Sequence, residues 1–571
     1  MPRPFFGKVH TSQCLQKRPS GITYVYDRTT RYDKDKQKTI TVKTKLTGKI
    51  LPDSDEIVPT RSKKPKGGIV MPVSAVRKHV GLTDILEWAG RASQIDNDVH
   101  SSLSEGDADK ILSIARYWIG TNGNTLPRLQ NWQIMHDLPY KYEISEDVYG
   151  KLFKSLGYNE DGIQRYFQAR ASRLDKSPVI AYDSTTISTY SVNQKEACQG
   201  FNKERDGMDT IKLLTLYSVK DREPIAFAKQ PGNIPDVIAI ANTIEQLKCF
   251  DIVKPMVTTD NGYYSLDNMR RFCQRNMKFL TLIDTDVNMA RDAVDILQDQ
   301  MNNMGAVCPF DLNVSGASMS KMYTFNWHRK RAGNGKKVGD TEILTRRLYF
   351  YVFQSNELVN KRSLTFRRKL LELKTQVEEG GIEFTEAAQR KIDKYLILSR
   401  LGRGGKLRVL FNEEECAKAK KYFGNFVLVS NCAMNVFEAL TNYRLREKIE
   451  ELFQDEKGSV DGRRIRTWHS DTLRGRQFVQ FITLCYHCFL TKKIQDVKDG
   501  LCTGEENKTK KQMEMEKKLK IWLEQRSMVQ IFDWYDCRET ITVKTDAGSH
   551  RWTSESIARD RLFLERLGVT Q

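Results

Sequence analysis

The spacing of apolar positions changes several times along the chain. Residues 22–46, "ITYVYDRTTRYDKDKQKTITVKTKL", alternate β-branched or aromatic residues with polar ones on both sides of "DKDKQK", which predicts a β-hairpin. The polar, basic, proline-containing stretch "PDSDEIVPTRSKKPKGG" breaks that alternation and predicts a linker. From about 70 to 173 apolar residues recur at three- and four-residue intervals, in "VSAVRKHVGLTDILEWAG", "DADKILSIARYWIG", "SEDVYGKLFKSLGY" and "EDGIQRYFQARASRL". That period predicts a helical region.

At 178 the pattern changes again. "SPVIAYDSTTIS" predicts a short apolar strand ending in Asp183, and "TIKLLTLYS" and "PIAFAKQ" predict two more strands joined by the turn "VKDRE". "DVIAIANTIEQLKCF" predicts an amphipathic helix, "VKPMVTTDNG" a fourth strand ending in Asp260, "SLDNMRRFCQRN" a helix and "KFLTLID" a fifth strand. This succession describes an α/β sheet with helices packed on it. Residues 290–432 interrupt the alternation, mixing strands ("ILTRRLYFYVFQ", "GNFVLVSN") with charged helices. Two further helices follow, "NYRLREKIEELFQDEK" (442–457) and "DTLRGRQFVQFITLCYHCFL". A Lys/Glu-rich helix near 505–528 and the hairpin-like "ETITVKTDAGSHRW" close the chain, and no repeat of fixed period is evident.

Composition narrows the partners. A chain of 571 residues holds several domains, and 92 Lys plus Arg against 72 Asp plus Glu give a net charge of +20. That excess favours a polyanion, nucleic acid first and an anionic membrane second. Basic residues recur in the helical region (Arg77, Lys78, Arg91, Arg128, Lys151, Lys154, Arg165, Arg170), as expected of a DNA-holding domain, although no helix-turn-helix stands out. No run of eighteen apolar residues occurs, so no membrane partner is expected, and "MPRPFFGKVHTSQC" lacks the apolar core of a signal peptide. Eleven scattered cysteines suit a reducing interior. Cys485 and Cys488 lack the second pair that a metal site needs, so they are expected to be core thiols. The glycine-rich "GNGKK" (333–337) and "GRGGK" (402–406) lack Walker spacing, which argues against nucleotide hydrolysis. His136, His328 and His469 are isolated along the chain.

The helix 442–457 carries the most specific pattern. At about 100° per residue, Tyr443, Arg446, Glu450 and Lys457 fall within roughly 60° on one face. Leu445, Ile449 and Leu452 face the other way, toward a core, with Phe453 near the boundary. Phosphodiester chemistry needs oxygen ligands for two divalent ions and separate cations to seat phosphates. Carboxylates suit Mg²⁺. Asp183 and Asp260, at the ends of neighbouring strands, could meet at one sheet edge, with Glu450 as a third carboxylate. Each also has an ordinary explanation: Asp183 as a turn or cap residue, Asp260 in an Asp-Asn-Gly turn, Glu450 in an exposed pair with Arg446. Asp284 and Asp286 are rival carboxylates whose expected role is loop or cap.

The four positions of that helix resemble the Tyr-x(2)-Arg-x(3)-Glu-x(6)-Lys signature of insertion-sequence DDE transposases of the hairpin-forming, cut-and-paste group. "VIAYDSTTIS" and "VTTDNGYYSLDNMRRF" resemble the family's first- and second-aspartate blocks, in the family's order. "GFNKERDGMDTIKLLTLYS" and "TWHSDTLRGRQFVQFITL" resemble flanking segments, so the likeness covers roughly 178–495. It implies an RNase H-like catalytic core of α/β class with a strand-rich insertion before the catalytic glutamate, plus an N-terminal β-hairpin and helical region. The expected division is 1–68 hairpin and linker, 69–176 helical DNA-binding region, 177–290 first part of the core, 291–432 insertion, 433–495 second part of the core and 496–571 terminal helix and hairpin.

Functionally, the resemblance implies that Asp183, Asp260 and Glu450 are catalytic and hold two Mg²⁺ ions, with Mn²⁺ able to substitute. Tyr443, Arg446 and Lys457 would hold the 5′-phosphate side of the element's end, and Trp327 has the chemistry to stack on a flipped base. The implied reaction cleaves double-stranded DNA at terminal inverted repeats through a hairpin and joins the 3′ ends to target DNA. A homodimer in the DNA complex and a cytoplasmic, nucleoid-associated setting in a bacterium or archaeon would follow. The alternatives are a nuclease of the same fold without joining activity and a non-catalytic DNA-binding protein derived from a transposase.

Overall fold

The computed structural model describes residues 9–33, 35–52, 55–59, 72–174, 178–191, 193–200, 206–235, 255–328, 337, 339–380, 384–400, 407–446, 467–503, 509–545 and 548–569. The chain forms two compact units, Met1–Ala75 with Val543–His550, and Val76–Thr542 with Arg551–Gln571.

In the first unit β1 (Val9–Lys17), β2 (Thr23–Asp33), β3 (Lys38–Ile50) and β4 (Val58–Pro59) make an antiparallel sheet in chain order. The predicted hairpin is β2–β3, closed where Asp33 pairs with Lys38. The Asp33 carboxylate accepts from the amides of Asp35 (3.1 Å) and Lys36 (3.3 Å), so the side chain itself turns the backbone. β1 was not legible in the sequence. Most of its residues are exposed, so no buried face imposes a period.

β5 (Pro72–His79) ends in the second unit, where the helix Gly81–Ala92 follows it. The sequence pattern runs a helix through both. The structure separates them: Val76 is exposed and gives the segment no apolar helical stripe, whereas Leu82, Ile85, Leu86 and Ala89 are buried. Helices Ile95–Ser102, Glu105–Gly120, Leu129–Met135, Glu146–Tyr158 and Glu160–Ala171 complete the helical region. Their apolar faces close on the 31-residue helix Ser470–Gly500, where Phe478, Val479, Ile482 and Tyr486 share a core with Trp118, Phe153 and Tyr166. That crossing is tight enough to require glycine. A Cβ on Gly475 would strike the Phe153 carbonyl, and one on Gly157 the Asp471 carbonyl. Cys485 and Cys488 are buried on the same helix, and burial pushes the Cys485 thiol up to about 11. Arg170, counted among the basic residues of this region, is not a surface cation. It is fully buried and paired with Glu223 and Asp98.

The other face of helix Ser470–Gly500 covers a nine-stranded mixed sheet, with Phe481 and Phe227 rings 5.4 Å apart. Its strands are β6 (Val179–Thr189), β7 (Asp209–Ser218), β8 (Glu223–Pro231), β9 (Met256–Thr259), β10 (Lys278–Ile283), β11 (Val307–Cys308), β12 (Asp311–His328), β13 (Thr341–Ser355) and β16 (Asn425–Ser430), with β14 (Leu396–Arg400) and β15 (Leu407–Phe411) a separate hairpin. The order is β11-β12-β13-β16-β10-β9-β6-β7-β8. β6–β9 and β9–β10 are parallel and the remaining pairs antiparallel. Strands from residues 307–430 therefore extend the sheet formed by the first five, past β10. The predicted helix at 236–250 lies outside the described residues. Helices Leu266–Gln274, Asn288–Met301 and Asn356–Glu379 follow β9, β10 and β13. β17 (Glu539–Thr545) and β18 (Gly548–Thr553) are the strands predicted near the C terminus. Among the described residues no helix is long and apolar enough to cross a membrane.

Candidate active site

β6 is longer than its apolar run. It continues beyond Asp183 to Thr189 because β7 pairs with it along its whole length, Asp183 opposite Thr215 and Thr189 opposite Asp209. β9 pairs with β6 only at Val179–Met256, Ile180–Val257 and Ala181–Thr258. Carried two residues further, that register sets Asp183 level with Asp260, at the point where β9 ends and the chain turns through Asn261–Tyr263. In parallel strands residues at one level project to the same face. Asp183 is inside a strand rather than at a turn, and Asp260 does precede the turn Asn261–Tyr263, but its side chain makes no cap hydrogen bond there.

The helix that begins at residue 436 is described to 446 and brings two more of the predicted residues to this edge. Tyr443 donates its hydroxyl to Asp260 Oδ1 at 3.1 Å. The Arg446 guanidinium lies 3.7 Å from Asp183 Oδ2 and 4.0 Å from Asp260 Oδ1, and 5.2 Å from the Tyr443 ring centroid. Arg446 is 2 % exposed and Tyr443 6 %, so this polar face is turned inward against the sheet edge. Ala439, Leu440 and Tyr443 pack with Met256, Tyr351 and Phe353, and half-buried Leu445 lies against the same cluster, so the Tyr443 side is buried more deeply than the Leu445 side that the spacing turns to the core. Arg444 reaches outward to Asp311 on β12 at 2.5 Å and holds that carboxyl below its usual range. Glu450 and Lys457 lie outside the described residues.

Asp183 and Asp260 line a cavity of about 410 Å³ together with Ser184, Thr186, Lys212 and Gly232–Pro235. Lys212 escaped the sequence reading. It is 5 % exposed, and its ammonium donates to the Ile234 carbonyl at 2.7 Å. A lysine in the apolar run "TIKLLTLYS" was the available signal, since a buried ammonium needs a purpose or a partner. Asp284 and Asp286 behave as loop residues. Asp284 Oδ1 accepts from the Asp286 amide, and Asp286 pairs with Arg291. The Trp327 ring is partly buried, with the Arg270 guanidinium 4.5 Å above it.

Residues 175–486 match the Transposase DDE domain family, more than half of the chain and inclusive of this whole edge. The chain belongs to this DDE transposase family. Its enzymes generally use divalent metal ions, and the donors present are of the right kind: two hard carboxylates, level on adjacent strands and facing a cavity. Among solved structures, a piggyBac transposase synaptic complex with hairpin DNA is similar at 10 % identity and a TM-score of 0.31, over 78 % of this chain and 77 % of that one. A search of curated proteins finds no match.

Proposed function

We propose that this DDE transposase binds the double-stranded ends of its own insertion sequence, cleaves them and joins the freed 3′ ends to target DNA. The observation that carries the reading is the meeting of Asp183, Asp260, Tyr443 and Arg446 at one sheet edge, from three separate chain segments. The strand order β8-β7-β6-β9-β10, with only the β6–β9 and β9–β10 pairs parallel, supports an RNase H-like core. On this reading residues 291–432 are the strand-rich insertion, and Glu450, four residues beyond Arg446 in sequence, is the third carboxylate.

Asp183, Asp260 and Glu450 would hold two Mg²⁺ ions, which supply activation of the attacking oxygen and neutralisation of the leaving one. The rest falls to the chain's own groups. Arg446 neutralises the paired aspartates and can turn a fork of donors to a phosphate. Tyr443 fixes the Asp260 carboxylate by its hydroxyl, and Lys457 would add a point charge beside the 5′ strand. Hydrolysis frees a 3′-hydroxyl. That hydroxyl attacks the opposite strand to close a hairpin, a second hydrolysis opens it, and the 3′ end then attacks target DNA. Two chains would pair two ends in one complex.

The test incubates the protein with a labelled end-containing duplex and Mg²⁺, alone and with target plasmid. Hairpin and strand-joined products are expected, and Asp183→Asn, Asp260→Asn and Glu450→Gln should each abolish them. Cleavage with no joined product would favour a stand-alone nuclease. A bound but uncut duplex would favour a DNA-binding relic. Undiminished cleavage by all three variants would overturn the site assignment.

A further inference from the structure

A second cluster lies in the helical region, built from residues that the sequence leaves far apart. His79 ends β5, His136 follows the helix Leu129–Met135, and Asp536 ends the helix Met528–Asp536. One ligand atom from each lies within 4.8 Å of the others. His136 Nε2 is 2.7 Å from Asp536 Oδ1, and His79 Nδ1 is 3.4 Å from Asp536 Oδ2, so two imidazoles address the two oxygens of one carboxylate.

The outer nitrogens fix what the inner ones present. His136 Nδ1 lies 2.8 Å from the Trp132 carbonyl, which can only accept, so Nδ1 carries a proton. The ring is clamped flat on Trp132 at 3.8 Å between centroids and is 3 % exposed. His79 Nε2 faces Glu539 Oε1 at 3.5 Å, and Glu539 is itself gripped through both oxygens by Arg77. His79 Nδ1 is buried and makes no hydrogen bond. An ion pair explains His136, whereas His79 Nδ1, 3.4 Å from Asp536 Oδ2, is within reach of the charge but makes no hydrogen bond there. To satisfy the cluster with protons, both imidazoles must be charged side by side, their rings 4.9 Å apart. A cation bound by His79 Nδ1, His136 Nε2 and an Asp536 oxygen satisfies all three atoms and leaves each imidazole its outer N–H, donated to a carboxylate or a carbonyl. That outer arrangement is how protein ligands to transition metals are oriented.

We infer that His79, His136 and Asp536 form a site for a divalent transition ion of the Zn²⁺ class, distinct in place and chemistry from the carboxylate edge. Two imidazole nitrogens and one carboxylate oxygen with a fourth position for water suit Zn²⁺ and disfavour Mg²⁺, which prefers oxygen donors. Tetrahedral coordination at 2.0–2.1 Å needs ligand atoms roughly 3.3 Å apart. The 2.7 Å and 3.4 Å separations to the Asp536 oxygens lie either side of that value, and the partly exposed His79 and Asp536 side chains have room to adjust. The ion ties the end of β5 to two helices that are 400 residues apart in sequence at His136 and Asp536. Gly81 permits the approach, since a Cβ there would strike the Tyr535 carbonyl beside Asp536.

The experiment uses the full chain, stripped with a chelator and then kept in excess Mg²⁺ so that oxygen-only sites are filled. Co²⁺ is added as the spectroscopic probe and Zn²⁺ as the competitor. One Co²⁺ per chain is expected, with visible ligand-field bands, no thiolate charge-transfer band and displacement by Zn²⁺. Zn²⁺ should also raise Tm by several degrees. Both effects should vanish in His79→Gln and Asp536→Asn, whose far-UV circular dichroism should match the parent. His136 is left intact because its burial makes a variant liable to unfold. Absence of bound Co²⁺ in the parent, a thiolate band, or binding retained by both variants would each overturn the site. A Tm lowered by Asp536→Asn with no response to Zn²⁺ in either protein would mean an ion pair only.

Discussion

The two clusters of potential ligands differ in how the chain assembles them. At the sheet edge, Asp183 and Asp260 are placed by the register of two adjacent parallel strands, and Tyr443 and Arg446 by one helix turn against them. At the helical cluster, His79, His136 and Asp536 come from the ends of three elements with no shared period. Donor chemistry differs in parallel. The first offers hard oxygen atoms balanced by a buried guanidinium, the second two nitrogens and an oxygen balanced by nothing but the imidazoles' own protons or an ion. Periodic elements carry the proposed catalytic groups. Element ends carry a tie between distant segments.

The largest expected effect separates the clusters completely. If Asp183 and Asp260 are metal ligands as proposed, Asp183→Asn or Asp260→Asn should lower end cleavage by about a thousandfold or more, through loss of several kcal/mol of charge stabilisation. The Co²⁺ spectrum of the helical cluster should be unchanged in the same proteins. Loss of that spectrum in Asp183→Asn would merge the two sites and break the distinction. Next comes Arg446→Lys, which keeps the charge but removes the fork. Cleavage should fall about ten- to a hundredfold, the equivalent of a charge-assisted hydrogen bond of 1.5–3 kcal/mol. Full activity would show that Arg446 is only a counter-charge.

Gly81→Val probes the packing under the helical cluster. It should destabilise the protein by about 1–3 kcal/mol through overpacking against the Tyr535 carbonyl, measured by chemical denaturation. It should also weaken Co²⁺ binding, because Asp536 adjoins the displaced residue. The smallest effect concerns the anchor of the signature helix. Arg444 lowers the Asp311 carboxyl, so its contribution is present above the ordinary carboxylate range and is lost as pH falls through the depressed value. Asp311→Asn should therefore lower Tm slightly at neutral pH and not at pH low enough to protonate Asp311. A difference that persists in acid would assign the effect to packing rather than charge.

Much of the carboxylate edge was legible in the sequence because strands and helices impose periods that residues obey. Asp183 and Asp260 follow apolar runs, and Tyr443 and Arg446 share a helical face. The length of β6 was not legible. Beyond Asp183 its small polar residues show no apolar run, and only pairing with β7 keeps them extended. Nor was the inward turn of the polar face, since a stripe of Tyr and Arg reads as solvated until a sheet edge covers it. Arg170 errs in the opposite direction: a basic residue that composition assigns to the surface is enclosed by Asp98 and Glu223.

The sequence by itself determined the alternation of elements, the candidate carboxylates and the face that joins Tyr443 to Arg446, because those depend on local geometry repeated every two or 3.6 residues. Tertiary structure decided which carboxylates stand level, which cations are buried, and that His136, solitary along the chain, has His79 and Asp536 as neighbours. Contacts between segments hundreds of residues apart leave no period to read. They exist only once the chain has closed its core.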